Sequence, residues 1–337
     1  MRNILKLIRY YEWYDSKWNI YLYVFILYWI RHGEIDDFTI LCNCVAVMFF
    51  SFSLLAFGYT FNNYSDAKED LLAGKANYMT RFNKSQQLFI VFSFFVMGVA
   101  VPVCINPNLG MLLIVLLSFF MAFLYSYRKF GIKQRGLWGL IVSSLAQRVC
   151  PMFAIFYLFN DWSATTFLLA LLSFIVGLRW ILVHQAEDYE NDKLSDTRSF
   201  VINLNNSASK LMSIITLVFL CELLCLIMIL ILNASLTLTI IVPIIYIFFQ
   251  LVIMPFWVKI GWKRMIMSYD FAPLADFYYL WSGIYVATAL AIRNPIYSAS
   301  FIFVLYFGYR YIILDYKYFR LARDLKRGIL SAPDNKG

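Results

Sequence analysis

The sequence predicts an all-α, multi-pass transmembrane bundle of nine or ten spans around a central cavity. Three observations carry that reading. Hydrophobic residues make up 62% of the 337-residue chain and charged residues only 15%, against about half and about a quarter in a soluble domain. Mean hydropathy is +0.68. Two acidic stretches recur at the polar ends of two apolar segments, four segments apart, which suggests a repeated unit facing itself across a cavity.

Ten apolar segments follow in order: 17–30, 38–61, 87–105, 109–127, 137–159, 164–184, 210–232, 236–256, 275–292 and 297–315. A spanning helix needs roughly 20 apolar residues. The first segment is short for a span, and the last two lie close to the lower limit, so nine spans is the fallback count. With no linker or low-complexity stretch, a single membrane domain is expected over residues 1–337, with short cytoplasmic ends at about 1–16 and 317–337. Arg2, Lys6 and Arg9 begin the chain, but no short apolar core with a small-residue cleavage site follows, so no removable signal peptide is expected.

Basic residues set the orientation. Lys68 to Lys84, Arg128 to Arg135, Lys193/Arg198, Lys259 to Arg264 and the tail from Lys317 fall on one side with the N-terminus. The short links on the other side contain only Arg31 and Arg293. The positive-inside rule then puts both termini and the longer loops in the cytoplasm, most simply at a plasma (inner) membrane. The net charge of +9 is accounted for by this topology and by anionic lipid headgroups, without nucleic acid.

Six cysteines lie in or beside apolar segments and match no zinc spacing, and two histidines make a His-based metal site improbable. No Walker loop, nucleophile elbow or dinucleotide fingerprint is present.

The chemistry is concentrated in the two acidic stretches. Asn62, Asp66 and Asp70 fall at i, i+4 and i+8 where the second segment meets water, so a helix would project them in one stripe. His184, Asp188 and Asp192 repeat the spacing where the sixth segment ends, with His184 in the position of Asn62. Oxygen donors without Cys suit a hard cation such as Mg²⁺, and through it a diphosphate. For either stretch alone, a polar helix end marking the membrane surface is an equally good account. Two at equivalent span ends are harder to explain that way.

These motifs resemble those of the UbiA-type intramembrane prenyltransferase superfamily, which carries Asn-x-x-x-Asp-x-x-x-Asp after its second helix and Asp-x-x-x-Asp after its sixth. Asn62/Asp66/Asp70 and Asp188/Asp192 match in residue and in position, and Tyr125/Lys129 match the family's Tyr-x-x-x-Lys between helices four and five. The resemblance implies an all-helical UbiA-like fold that uses Mg²⁺ to transfer a prenyl group from a prenyl diphosphate donor to an aromatic or lipid-soluble acceptor. It implies that Asn62, Asp66, Asp70, Asp188 and Asp192 hold the metal. Many aromatic-prenylating members carry Arg-Thr and then Arg-Pro after the first motif. Here the run is Gly74 to Arg81, with Lys75 in place of the first arginine and no Arg-Pro, which leaves the acceptor open.

Physically, ionisation of an allylic diphosphate develops negative charge on the leaving oxygens and positive charge on carbon. Lys75, Lys129, and Arg128 or Lys133 would add fixed positive charge to the diphosphate. Tyr64, Tyr125, Tyr127 and Tyr189 adjoin those groups and could shield the cation with their ring faces, although interfacial belts account for most of the 24 tyrosines. Asp66, Asp70, Asp188, Asp192 and Tyr125 are the candidate catalytic residues. Asn62, Lys75, Arg128, Lys129, His184, Arg148 and Tyr189 are the candidate substrate contacts. A membrane terpene cyclase and an ion-coupled transporter are the rival readings.

Arg148, Arg179 and Glu222 fall inside apolar segments, where charge costs about 2.5–3.5 kcal/mol on insertion scales. Either Glu222 pairs with one of the arginines or the site faces a cavity, with Arg148 as the candidate contact for an acceptor oxygen. Arg310 and Asp315, near the end of the last segment, are expected to snorkel or pair.

Overall fold

The computed structural model describes residues 2–32, 36–72, 74, 76–127, 132–194, 199–204, 208–232, 241–261 and 274–326. Among these residues all regular structure is helical. The chain divides into two compact units, 1–232 and 233–337, which are described separately.

In the first unit, α1 (Arg2–Leu7) is followed by a 3-10 turn (Tyr10–Glu12) and a π turn (Tyr14–Trp18) that leads into α2 (Asn19–Arg31). α3 (Asp37–Ser65) starts where the Asp36 carboxylate caps the Thr39 amide at 2.9 Å, and it ends one residue before the short α4 (Ala67–Leu72). A 3-10 turn (Tyr78–Arg81) leads to α5 (Lys84–Ile105), which opens with a reciprocal capping box between Asn83 and Gln86. α6 (Leu109–Ser126) comes next. α7 (Leu137–Ser144) and α8 (Cys150–Leu158) form one helix interrupted by a π turn at Leu145–Val149. α9 (Ala164–Glu187), the short α10 (Tyr189–Leu194) and α11 (Phe200–Asn203), and α12 (Ala208–Leu232) complete the unit.

α3 packs along α5 and α6, and α9 packs along α12 and against α7. Between α3, α5 and α6 lies a core of Phe50, Phe57, Phe61, Val91, Val115 and Phe119, closed at the end near the first acidic stretch by Leu7 and Met79. On α9, a Cβ at Gly177 would stand 3.0 Å from the Ser144 Cβ and 3.1 Å from the Arg148 Cγ, so only glycine lets this helix approach the π turn so closely. The outer faces are apolar: Leu88, Phe89 and Phe92 on α5 and Leu217, Leu220 and Leu224 on α12 are exposed, as a lipid-facing surface requires.

The second unit contains α13 (Ile241–Ile260), a π turn (Phe277–Trp281) continuing into α14 (Ser282–Arg293), a 3-10 turn (Pro295–Ala299) and α15 (Ser300–Lys326). α15 packs on α13, on α14 and on the π turn.

Among the described residues, seven helices are long and apolar enough to cross a bilayer: Asp37–Ser65, Lys84–Ile105, Leu109–Ser126, Leu137–Leu158, Ala164–Glu187, Ser209–Leu232 and Pro295–Asp324. The other three apolar segments are also helical over their described residues. α2 has 13 residues, or about 20 Å of rise, α14 has 12 beyond its π turn, and α13 has 20.

Both chain ends are packed over their described residues. Residues 2–18 do not form a tail: Leu7, Ile8, Tyr10 and Trp13 are buried, because aromatic residues among the basic ones give the segment an apolar face to pack. At the other end, the last helix continues past 315 to Lys326. Tyr311, Asp315, Tyr318 and Ala322 recur at helical spacing on one buried face, so packing carries the helix beyond its apolar run.

Candidate active site

The two acidic stretches are built alike. At the end of α3, the Asp66 amide donates to the Asn62 carbonyl at 2.8 Å and the Asp70 amide to the Asp66 carbonyl at 2.9 Å. At the end of α9, Asp188 donates to the His184 carbonyl at 2.9 Å and Asp192 to the Asp188 carbonyl at 2.8 Å. Each long helix pauses at its middle aspartate, with φ −90° and ψ 4° at Asp66 and φ −84° and ψ 3° at Asp188, and resumes as a six-residue helix. Helical hydrogen bonding therefore runs through each break, and the i, i+4 spacing keeps the carboxylates on successive turns.

Each carboxylate of the first stretch has a partner. Asp66 Oδ2 accepts from Lys133 Nζ at 2.6 Å. Asp70 Oδ2 accepts from Asn77 Nδ2 at 2.8 Å, and the same amide nitrogen also donates to the Asn63 carbonyl, which ties the returning chain to α3. Asn62 is half-buried. In the second stretch, His184 is exposed and its Nε2 lies 3.4 Å from Asp188 Oδ2.

Lys133 links the two stretches. Burial lowers the pKa of its ammonium, but the charge of Asp66, joined by Tyr125 and Asp192, outweighs that effect and leaves it above the ordinary lysine range. A cation that pairs with Asp66 and also senses Asp192 sits where the two stretches share one electrostatic field. Tyr125 and Tyr189 are half-buried, and Tyr127 stacks on Phe123 with ring centroids 4.7 Å apart, as part of the packing around the core. Tyr64 stacks on Phe61 at 6.2 Å.

Arg148 and Gln147 lie on the π turn, which directs them toward the N-terminal segment. Arg148 Nη1 donates to the Ser16 carbonyl at 2.6 Å. Lys17 Nζ donates to Tyr59 Oη at 2.7 Å and to Gln147 Oε1, and Tyr21 Oη donates to the Gln147 carbonyl. Lys17 and Arg148 are close enough to sense each other's charge. Glu222 pairs with Arg179 rather than Arg148: Arg179 Nε and Nη2 donate to its two oxygens at 2.5 and 2.8 Å, and both side chains are wholly buried.

The expectation for Asp315 is corrected. It does not snorkel, and among the described residues it pairs with no cation; it is buried and accepts from Trp281 Nε1 at 3.1 Å. Lys75, Arg128 and Lys129 lie outside the described residues. Sequence reasoning missed Asn77, Lys17 and Tyr59. Asn77 is seven residues beyond Asp70, the spacing of two helical turns, but the chain between them turns back. Lys17 reads from sequence as the polar border of an apolar segment.

Among the described residues, no three His, Cys, Asp or Glu side chains gather closely enough to enclose an ion. The donor chemistry still fits a hard cation: five side chains with oxygen donors, on consecutive turns of two helix ends.

Fold and site together define an integral membrane helical protein with twin acidic helix ends. A family model described as the UbiA prenyltransferase family matches residues 20–260, and the chain belongs to that family. A search of curated proteins found no match. Among solved structures, a UbiA homolog from Archaeoglobus fulgidus bound to GPP and Mg²⁺ superposes with a TM-score of 0.52 at 13% identity, covering 94% of this chain and 99% of that one. A further structure of a UbiA homolog from that organism gives 0.52 at 15% identity, covering 86% and 98%. One bound to Cd²⁺ gives 0.50 at 12%, covering 94% and 99%. At such identities the likeness concerns the fold, which is UbiA-like. The family match ends at residue 260, before α14 and α15 begin.

Proposed function

We propose that this protein transfers a prenyl group from a prenyl diphosphate to an aromatic or lipid-soluble acceptor with release of diphosphate, Mg²⁺ being required. The whole chain acts as one prenyltransferase domain, with both termini and the site on the cytoplasmic side, as the basic-residue bias indicates. One observation carries the reading: two acidic helix ends of matching backbone geometry, with Lys133 paired to the first and within the field of the second. The Mg²⁺ and GPP named for the Archaeoglobus fulgidus homolog supply the ion and the donor class.

Asn62, Asp66 and Asp70 on one side, and Asp188 and Asp192 on the other, would hold the ion. When bound, it supplies Lewis-acid stabilisation of the departing diphosphate. Lys133, with Lys75, Arg128 and Lys129, contributes fixed positive charge toward the same oxygens. Tyr125 and Tyr189 offer ring faces to the allylic cation, and His184 contacts the donor beside Asp188. Arg148 orients the acceptor through an anionic or carbonyl oxygen, with Lys17 a neighbouring hydrogen-bond donor held by Tyr59 and Gln147.

The test uses purified protein with prenyl diphosphates of several lengths and a panel of acceptors. Asp66→Ala or Asp188→Ala abolishes diphosphate release while the bundle stays folded, since both residues sit at half-exposed helix ends. Arg148→Met spares acceptor-independent donor hydrolysis and loses transfer. Near-normal turnover of either aspartate variant at saturating Mg²⁺ refutes the two-stretch site, and product formed without any acceptor assigns a cyclase instead.

A further inference from the structure

The second unit holds two buried carboxyl groups that the prenyl-transfer chemistry does not use. Asp276, immediately before the π turn, and Asp315, on α15, are exposed by only 7% and 8%. Four donors converge on them. Tyr246 Oη and the Phe277 amide donate to Asp276 Oδ1 at 3.0 and 2.8 Å, and Gln250 Nε2 donates to Asp276 Oδ2 at 2.9 Å. Trp281 Nε1 donates to Asp315 Oδ2 at 3.1 Å. Every donor is uncharged, and among the described residues no Lys, Arg or His forms an ion pair with either carboxyl.

Among the described residues, Tyr246 from α13 is the titratable group that faces both carboxyls, and each aspartate faces the other. The walls are aromatic: Tyr246 lies 4.9 Å from Phe277 and 5.5 Å from Trp281, between ring centroids. Tyr246, which donates to Asp276, and Trp281, which donates to Asp315, are in ring contact, and this brings the two carboxyls close enough to feel each other's charge. Asp315 Oδ1 is fully buried and has no donor among the described residues.

Two ionised carboxylates cannot hydrogen-bond to each other, because neither carries a hydrogen. Placed side by side without a cation they repel, and each also bears the cost of leaving water. One proton resolves both problems. It turns one group into a donor for the other, leaves a single negative charge spread over four oxygens, and gives the pair the internal hydrogen bond it otherwise lacks.

We infer that Asp276 and Asp315 form a proton-binding site, holding one proton between them and thereby joining α15 to the π turn and α13. Release returns the proton to solvent and leaves two adjacent carboxylates, which loosens that contact. No bond other than the carboxyl O–H is made or broken. The site lies beyond the residues matched by the family model, and it does not rest on the prenyltransferase reading.

The experiment uses the full chain in lipid nanodiscs. Infrared spectra in light and heavy water are recorded from mildly acidic to alkaline pH, with melting temperature followed in parallel. The wild type is expected to show the deuterium-sensitive carbonyl stretch of a protonated carboxyl at neutral pH, fading together with melting temperature as pH rises. Asp315→Asn reproduces the charge of the singly protonated pair and supplies an N–H donor in place of its O–H. It is expected to remove that band and flatten the pH dependence while keeping the melting temperature of the acidic wild type. Asp276→Asn gives the same readout should the first variant not fold. Absence of the band in wild type overturns the proposal, as does its persistence in both variants. So does an alkaline loss of stability that sodium or magnesium chloride restores, which would make the pair a cation site.

Discussion

Arg179→Met tests what holds the second acidic stretch in place. Arg179 and Glu222 join α9 to α12 through two hydrogen bonds of 2.5 and 2.8 Å, with both side chains wholly buried. The guanidinium also lies 4.5 Å from the Trp180 ring centroid. Removing the arginine leaves a buried carboxylate without compensation, and breaking a pair in this way costs about 3–5 kcal/mol. Each 1.4 kcal/mol is tenfold, so the unfolded fraction rises by roughly two to three and a half decades. Glu222→Leu alone should cost a similar amount, because it strands the guanidinium. The double variant Arg179→Met/Glu222→Leu should recover most of the loss, since an apolar pair of similar volume needs no desolvation. The assay is equilibrium unfolding in mixed micelles, followed by tryptophan fluorescence, with turnover measured on the same samples. Because α9 ends in Asp188, turnover should fall in the single variants and return in the double one. Single losses below about 1 kcal/mol, or a double variant whose loss is the sum of the singles, would refute the reasoning.

Two further outcomes follow from groups outside the spans. Lys133→Ala should raise the KM for the donor and slow diphosphate release, whereas Lys133→Arg should retain part of both because it keeps the charge that faces Asp66 and Asp192; donor kinetics of Lys133→Ala equal to wild type would assign this residue to topology alone. Burial raises the pKa of the Asp161 carboxyl, but hydrogen bonds from Ser163 and His32 and the charge of Arg31 outweigh that and hold it well below the usual aspartate range. Its folded pKa is depressed, so its contribution to stability is complete above the ordinary aspartate pKa and lost as pH falls toward the folded value. Asp161→Asn should therefore lower the melting temperature at neutral pH and narrow the gap to wild type in acid. A gap that stays constant with pH would rule this out.

The long helices and the acidic stretches were legible because both are periodic. An apolar run near 20 residues and a carboxylate every fourth residue are local signals that survive without tertiary information. What was not legible depends on contacts far apart in sequence. Glu222 could have paired with either arginine, and only the packing of α9 along α12 selects Arg179 over Arg148. Lys133 reads from sequence as one more basic loop residue, yet it pairs with Asp66, 67 positions away. Asn77 reaches Asp70 because the chain doubles back between them. The ends of the chain misled for a different reason: charges counted along the sequence suggest tails, while burial follows one face of a helix. Tyr311, Asp315, Tyr318 and Ala322 share such a face although Lys317 and Arg320 fall between them.

The two buried carboxylate sites differ in what compensates their charge, and that difference predicts how each responds to substitution. Glu222 is neutralised by an opposite charge that is itself buried, so losing either partner leaves an isolated ion, and only simultaneous replacement is mild. Among the described residues, Asp276 and Asp315 have neutral donors and each other. Replacing one of them by its amide keeps the single negative charge of the protonated pair and, among the described residues, strands no counter-charge. Asp315→Asn should therefore be tolerated at neutral pH where Glu222→Leu is not, although both alter wholly or nearly wholly buried acids. The contrast also separates their pH behaviour. The pH response is expected at the contact made by α15, where two like groups share a proton. Unfolding of wild type, Asp315→Asn and Arg179→Met/Glu222→Leu at acidic and alkaline pH tests this directly. Wild type and Arg179→Met/Glu222→Leu, which both keep Asp276 and Asp315, should lose stability with rising pH, and Asp315→Asn should not. Equal sensitivity to pH in wild type and Asp315→Asn would mean that the response arises elsewhere in the bundle.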